Sequence, residues 1–465
     1  MKTLLINPPS EKVVEPLDRP DWPHIGLGYV AAYLRANGHA VSIVDGKLEN
    51  IGVQEVIERV GKVKPDIIGL SAYTSEIIHV ARLAKSIKQK YPDITVVIGG
   101  IHASILPEET LREFSIFDYV IFGEGEITLH ELVDTLEKAG SLGQIKGLGF
   151  RKDGIIHLNE KRDWNSALDN LPFPAWDMFP EAKIYPMMTS RGCPFQCIFC
   201  TRPYGDNIRE RSAENVAAEF KELVNKYRAK NVMFFDETFG VNRKRAIRIA
   251  DMLAEENNKG QAVLLLQTRV DTVDYELLKR LKMAGCRQIA FGVESGNEKI
   301  LKLSKKGITL DQAKKAVKAA KELGLITNSF FIIGFPHETK KTAWDTINFA
   351  RQLNTDYVAI GKMTPYPKTE IARMVKNGEG GYRQISYDWS EFDKQSGAVV
   401  ELEGMSHKTI ARFQILGYLM FYVCNLHFGI LFKIIKERYR QIPLLVRKAV
   451  WGAKPADLKR GRIKA

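Results

Sequence analysis

Three cysteines stand close together in the run Arg191-Gly192-Cys193-Pro194-Phe195-Gln196-Cys197-Ile198-Phe199-Cys200. Thiolates at the spacing Cys-x3-Cys-x2-Cys can wrap one corner of a small metal cluster. Three ligands on a [4Fe-4S] cube leave one iron without a protein ligand, open to a substrate or a cofactor. Structural zinc is the main competing chemistry, but it ordinarily takes four ligands arranged as two Cys-x2-Cys pairs. No second pair follows here, because Cys286 and Cys424 are isolated in sequence. The spacing predicts an iron-sulfur site at Cys193, Cys197 and Cys200.

Other polar groups recur downstream, each just after an apolar run. Asp236-Glu237 follows Phe234-Phe235, Gln267 and Arg269 end the run beginning at Ala262, and Glu294-Ser295 follows Phe291-Gly292-Val293. Gly334-Phe335-Pro336 and Thr364-Pro365-Tyr366-Pro367 follow two later runs. A single carboxylate at such a point is ordinarily a solvated strand end. Carboxylates at matching points of two units of one series, together with the cysteine run, point to a shared site. Arg269 is equally consistent with a surface ion pair.

The elements that must position these groups fall in two series. In the second, strands are expected at Pro186–Thr189, Asn231–Phe235, Ala262–Gln267, Gln288–Val293, Asn328–Ile333 and Tyr357–Ile360, with helices between them. Ser212 is expected to cap the helix beginning at Ala213. Six βα units predict a barrel or an open partial barrel, with the cysteine loop on the C-terminal rim where such barrels carry their sites. The first series has strands at Thr3–Ile6, Ala40–Val44, Asp66–Leu70, Thr95–Ile98 and Asp118–Phe122, alternating with helices near Leu27–Ala36, Val53–Val60, Ile77–Gln89 and Ile127–Lys138. That alternation predicts a doubly wound parallel sheet with ligands at its strand C-termini. A hairpin is expected around Asp153-Gly154, followed by a Pro- and Trp-rich linker. The expected organisation is α/β: a Rossmann-like domain over 1–142, hairpin and linker over 143–182, a partial (β/α)6 TIM-like barrel over 183–375, and a helical basic region over 376–465.

Composition fits this picture. The chain has 465 residues and five cysteines, which suits a multidomain globular protein in a reducing compartment, not a disulfide scaffold. The opening Met-Lys-Thr-Leu-Leu-Ile-Asn-Pro-Pro is a strand and turn in pattern, not a signal peptide. These features predict a cytoplasmic protein. The net charge of +13 is uneven: the last 65 residues hold thirteen Lys and Arg against four Asp and Glu, a balance of +9.

The cysteine loop, with aromatic Phe199 before its last cysteine, resembles the signature of the radical S-adenosylmethionine (SAM) enzymes, and the resemblance extends over 185–370. It implies that Cys193, Cys197 and Cys200 hold a [4Fe-4S] cluster whose open iron is chelated by the amino and carboxylate groups of SAM. Reductive cleavage of SAM then gives a radical that abstracts hydrogen. On this resemblance Asp236-Glu237 binds the methionyl ammonium, with Glu237 the better placed, and Glu294 and Ser295 meet ribose or carboxylate. Gln267 and Arg269 face the same site. An electron donor such as flavodoxin or ferredoxin is implied as a partner.

The N-terminal half resembles the cobalamin-binding domain of the cobalamin-dependent radical SAM enzymes. The resemblance rests on the Asn7-Pro8-Pro9 turn, the Gly99-Gly100-Ile101-His102 loop, the Gly123-Glu124-Gly125-Glu126 turn and the Leu171-Pro172-Phe173-Pro174 linker. It implies cobalamin contacts from Asn7, Pro8, Pro9, Ser71, Thr74, Gly99, Gly100, His102, Gly123 and Glu124. No Asp-x-His-x-x-Gly loop follows the first strand, which matches the subgroup binding cobalamin without a histidine on cobalt. A sheet that holds no cofactor is the competing reading of this half.

Phe413–Phe432 carries no formal charge and is interrupted by Gln414, Asn425 and His427. Its length could just span a bilayer. The preferred expectation is an amphipathic helix over the barrel mouth or on a membrane, with Lys433–Arg440 and Arg447-Lys448 meeting anionic lipid. Nucleic acid is disfavoured, since no recognition module accompanies the basic tail. The resulting expectation is a methyltransferase acting at an unactivated carbon of a small or lipid-like molecule. An anaerobic oxidative cyclase or hydroxylase of a porphyrin-like substrate is the rival. A membrane- or partner-binding protein with a structural cluster is the alternative of another class.

Overall fold

The computed structural model describes residues 1–10 and 20–438. Their chain divides into two compact units. The first comprises Met1–Cys193 with Arg202–Phe235, and the second comprises Pro194–Thr201 with the chain from Asp236 onward.

The first sheet contains β1 (Lys2–Asn7), β2 (Ala40–Asp45), β3 (Ile67–Ser71), β4 (Thr95–Gly99), β5 (Tyr119–Ile121), β6 (Leu148–Lys152) and β7 (Ile155–Leu158). Its order is β2-β1-β3-β4-β5-β6-β7. The first five strands are parallel, and β6 and β7 add antiparallel at one edge. The runs Leu4-Leu5-Ile6, Ile67-Ile68 and Val96-Val97-Ile98 are fully or almost fully buried, the continuous apolar pattern of a sheet covered on both faces. The hairpin at Asp153-Gly154 therefore belongs to this sheet instead of standing apart. Gly99–His102, expected as a loop, turns into the helix Gly100–Ile105 after its first residue. That helix is too short for sequence periodicity to reveal it.

A short antiparallel pair, β9 (Ser190–Arg191) with β10 (Arg209–Glu210), brackets the cysteine loop. The second large sheet contains β8 (Tyr185–Met187), β11 (Asn231–Phe234), β12 (Val263–Arg269), β13 (Cys286–Glu294), β14 (Ile326–Ile333) and β15 (Tyr357–Lys362), in the order β15-β14-β13-β12-β11-β8. Each strand lies beside its successor in the chain, as an open partial barrel requires. Side-chain caps start its helices: Ser212 Oγ accepts from Asn215 N at 3.1 Å, and Thr309 and Thr339 form capping boxes. A last pair, β16 (Tyr382–Gln384) with β17 (Val400–Leu402), precedes the helix His407–Cys424.

That helix explains the uncharged stretch. It packs along edge strand β15, not as a single membrane-length rod. Tyr418 Oη accepts from Ile360 N at 3.0 Å, Tyr422 Oη from Val358 N at 3.4 Å, and Gln414 Nε2 donates to Ile360 O at 2.8 Å. Three side chains spaced four residues apart thus satisfy the open edge of the sheet. The helix ends at Cys424, and a second begins at Phe428. No helix among the described residues is long and apolar enough to cross a membrane. The basic residues beyond 438 lie outside the described residues.

Candidate active site

In the first unit, the approach to the cysteine loop is fixed by a buried ion network. Arg191 Nη1 donates to Glu124 Oε1 at 2.7 Å, and Arg191 Nη2 donates to Glu126 Oε1 at 2.7 Å. Arg209 Nη1 reaches the same Glu124 carboxylate at 2.8 and 3.0 Å, and Asn165 N donates to Glu124 Oε2 at 2.9 Å. The Arg191 guanidinium lies 4.9 Å from the Tyr29 ring centre. Burial raises the cost of charge on Glu124, but Arg191 and its other donors outweigh it and hold the carboxyl below its ordinary value. Gly192 has φ +91° and lies against the backbone of Asn207, so only glycine fits between Arg191 and Cys193. Cys193 is buried, and its N–H donates to Gly205 O at 3.1 Å.

In the second unit, Arg269 at the end of β12 is buried against the rest of the loop. Its guanidinium carbon is 3.5 Å from the centre of the Phe195 ring, and Nη1 is 3.9 Å from Cys197 Sγ. Asp271 pairs with Nε and Nη2 at 2.8 and 2.7 Å, and Nη2 also donates to Lys306 O at 2.7 Å. Lys306 Nζ in turn holds Glu294 Oε1 at 2.8 Å, both groups being buried. Burial pushes the Cys197 thiol up, while Lys306 and Arg269 pull it back toward the thiolate that metal ligation needs. Ile198 N donates to Ser304 O at 3.1 Å, and Phe199 meets Phe335 edge-on at 5.7 Å. All five cysteines are thiols. A donor set of three thiols in one loop, with two cations beside Cys197, fits a thiolate-bound cluster.

Glu294 has φ +71° at a register shift in β13. This local irregularity turns its carboxylate toward Lys306, across Gly292, where a side chain would collide with both groups. Asp236 is buried and Glu237 half-buried just after β11. Gln267 is exposed. Ser295 is fully buried, with Oγ 3.1 Å from Thr346 Oγ1 and accepting from Asn297 N at 3.2 Å, so its hydroxyl braces the loop against the helix Lys340–Leu353.

At the C-terminal end of the first sheet the expected loops come together. Asn7 Nδ2 donates to Asp45 Oδ1 at 2.6 Å, and Gly46 N donates to Asn7 O at 2.8 Å, which ties the Asn7-Pro8-Pro9 turn to β2. The Ser71–Thr74 loop meets the next one through His102 N to Ala72 O at 3.1 Å, and Gly123 N donates to Ser104 Oγ at 3.2 Å. Gly100 fits where a side chain would strike Ser71 and Ala72. A Cβ on Gly99 would meet nothing nearer than 3.9 Å, and one on Gly123 nothing nearer than 4.0 Å. Small residues with open space before them, at the strand ends of a doubly wound sheet, fit a broad flat cofactor such as cobalamin. His102 is buried, which pushes its pKa down to about 4. Glu124 is engaged by Arg191 and Arg209.

Phe195, Lys306 and Arg191 were not among the residues singled out from sequence. Arg191 stands in the quoted motif run, so its signal was position alone. Lys306 lies far along the chain from Arg269 and Cys197 and had no local signal.

Residues 18–133 match the B12 binding domain model, and residues 187–350 match the Radical SAM superfamily model. An uncharacterized methyltransferase of Pyrococcus horikoshii is 34% identical over 461 residues, covering 97% of this chain and 98% of that protein. The chain belongs to the cobalamin-dependent radical SAM enzymes, whose cofactors are a [4Fe-4S] cluster, SAM and cobalamin. Among its relatives, the anaerobic magnesium-protoporphyrin IX monomethyl ester cyclase of Rubrivivax gelatinosus is 29% identical over 76% of this chain and 66% of that one. In fold it is similar to the radical SAM methyltransferase TsrM of Kitasatospora setae, with TM-score 0.70 and 17% identity over 84% of this chain and 82% of that one.

Proposed function

We propose that this enzyme methylates an unactivated carbon of a small molecule, with Cys193, Cys197 and Cys200 as its cluster ligands. With its cofactors bound, the site supplies reductive cleavage of SAM and carriage of a methyl group on cobalamin. The chain's own residues do the rest. Glu237, beside buried Asp236, takes the methionyl ammonium through a charge-assisted hydrogen bond. Glu294, held by Lys306, fixes the ribose side of SAM. Arg269 keeps Phe195 and Cys197 in place and supplies positive charge to the sulfur. The loops at Asn7–Pro9, Ser71–Thr74, Gly99–His102 and Gly123 hold cobalamin. A reduced flavodoxin or ferredoxin is the electron donor. The proposed domains are 1–142 for cobalamin, 143–182 as connection, 183–375 for the radical chemistry, and 376–465 as the C-terminal region.

The observation that carries this reading is the convergence on the Cys197 side of the loop of Arg269 and Glu294, at the ends of successive strands β12 and β13, joined by Lys306. The test is an anaerobic turnover with methyl-deuterated SAM and candidate substrates. Transfer of the labelled methyl group to product supports methylation. SAM cleavage with an oxidised, unlabelled product assigns the chain to cyclase or hydroxylase chemistry. The basic segment Lys433–Arg440 bears on substrate class: salt-sensitive retention on anionic vesicles supports a membrane-held, lipid-like substrate, and indifference to them supports a soluble one.

A further inference from the structure

The far end of the first sheet, away from the strand-end loops, carries a second group of ligand-type side chains. His130 and Asp134 are one turn apart on the helix Gly125–Glu137 and share a face. His39 enters from the turn that leads into β2, with its side chain only 7% exposed. His39 Nε2 is 2.8 Å from His130 Nδ1 and 3.2 Å from Asp134 Oδ1. The three atoms converge, as the ligands of a single ion would.

We propose that His39, His130 and Asp134 form a binding site for a divalent transition-metal ion of the zinc type, distinct from the cluster and from cobalamin. Tetrahedral coordination with bonds of about 2.0–2.1 Å sets ligand atoms roughly 3.3 Å apart. The observed separations from His39 Nε2 need only a small expansion to reach that value. Two imidazoles and a carboxylate select zinc, cobalt or nickel over magnesium and calcium, which take oxygen ligands. On binding, the ion takes the lone pairs of His39 Nε2 and His130 Nδ1, and the proton between them moves to the other nitrogen of its own ring. The charges around the site are mixed: Lys138 holds Asp134 Oδ2 at 2.8 Å, and the Met1 ammonium pairs with Glu137. Lys138 competes with a metal for the Asp134 carboxylate. A bound ion would clamp the turn before β2 to the helix whose first residues neighbour Glu124, and so stabilise the first unit.

The test is a titration of the fully reconstituted holoprotein with Zn²⁺, followed by thermal unfolding, with Co²⁺ as the spectroscopic probe of geometry. The wild-type protein is expected to unfold at higher temperature with one added equivalent of Zn²⁺ and to give the visible bands of tetrahedral Co²⁺. His130→Asn should weaken binding at least tenfold. Lys138→Ala, at an exposed position, should tighten it severalfold by freeing Asp134. An unfolding midpoint indifferent to Zn²⁺ in both the wild type and Lys138→Ala would overturn the proposal, as would equal binding by wild type and His130→Asn. Neither result would bear on the cluster or on methyl transfer.

Discussion

Arg191 and Glu124 are 67 residues apart in sequence and 2.7 Å apart in space, and both are buried. The pair links the turn after β5 to the strand that delivers Cys193. Glu124 is thus both a residue of a strand-end loop and the anchor of the cysteine loop's first arm.

Removing one partner of this pair leaves a charge buried without its counter-ion, which costs about 3–5 kcal/mol. Arg191→Met should therefore lower urea stability by that order and lower iron incorporation. Arg191→Lys should recover part of the stability, because a lysine cannot reach both Glu124 and Glu126 in the planar geometry that a guanidinium offers. Equal stability of the wild type and Arg191→Met would show that the network does not anchor the loop.

Arg269 and Lys306 bear on electron acceptance. Reduction adds negative charge to a cluster, and neighbouring cations favour it. Arg269→Gln should shift the cluster potential to more negative values and slow SAM cleavage while leaving iron content near that of the wild type. The check is potentiometric titration followed by electron paramagnetic resonance. An unchanged potential would place Arg269 in a purely structural role.

Glu338 yields a pH prediction. Its Oε2 accepts from Gly334 N and from Phe335 N, while Oε1 is buried with no hydrogen-bond partner among the described residues. Burial, opposed by the two N–H donors, raises its pKa from 4.5 to about 7. The folded state therefore holds a proton that the unfolded state releases between these values, and the stability so gained is lost as pH rises through about 7. Glu338→Gln should be more stable than the wild type at pH 8, by at most about 3 kcal/mol at 1.36 kcal/mol per pKa unit, and the advantage should vanish below pH 5. Chemical denaturation across that range checks it. A difference that does not vary with pH would contradict the assignment.

The helix His407–Cys424 offers a mutational contrast. Gln414→Leu removes the shorter of the two donors to Ile360 O, leaving the 3.4 Å contact from Tyr418 Oη, and should cost about 1 kcal/mol. Leu419→Gln, at a position 47% exposed, should change stability by no more than about 0.5 kcal/mol. Urea unfolding of the two variants separates edge cover from a generic apolar surface.

Much of the scaffold was legible because its signals are local. Runs such as Val96-Val97-Ile98, and caps such as Ser212, act within a few residues, so strand and helix positions agree with expectation to within a few residues. The cysteine spacing is equally local. What escaped is long-range pairing. Nothing near Lys306 announces Glu294 or Arg269, and Glu124 carried the pattern of a ligand loop without revealing Arg191. The uncharged stretch at Phe413–Phe432 raised the question of a membrane because hydropathy ignores geometry. Gln414, Tyr418 and Tyr422 at four-residue intervals were the visible sign that one face of that helix is made for a strand edge.

The central claim is that three cysteines in one loop hold the cluster that cleaves SAM. The direct measurement is iron content and 5′-deoxyadenosine formation in anaerobically reconstituted, reduced protein, comparing Cys197→Ala with Cys286→Ala. Cys286 is buried with its thiol pushed up to about 12, far from the state that ligates metal. Cys286→Ala should retain iron and cleavage, and Cys197→Ala should lose the brown chromophore and all cleavage. Full iron content and cleavage in Cys197→Ala would contradict the account.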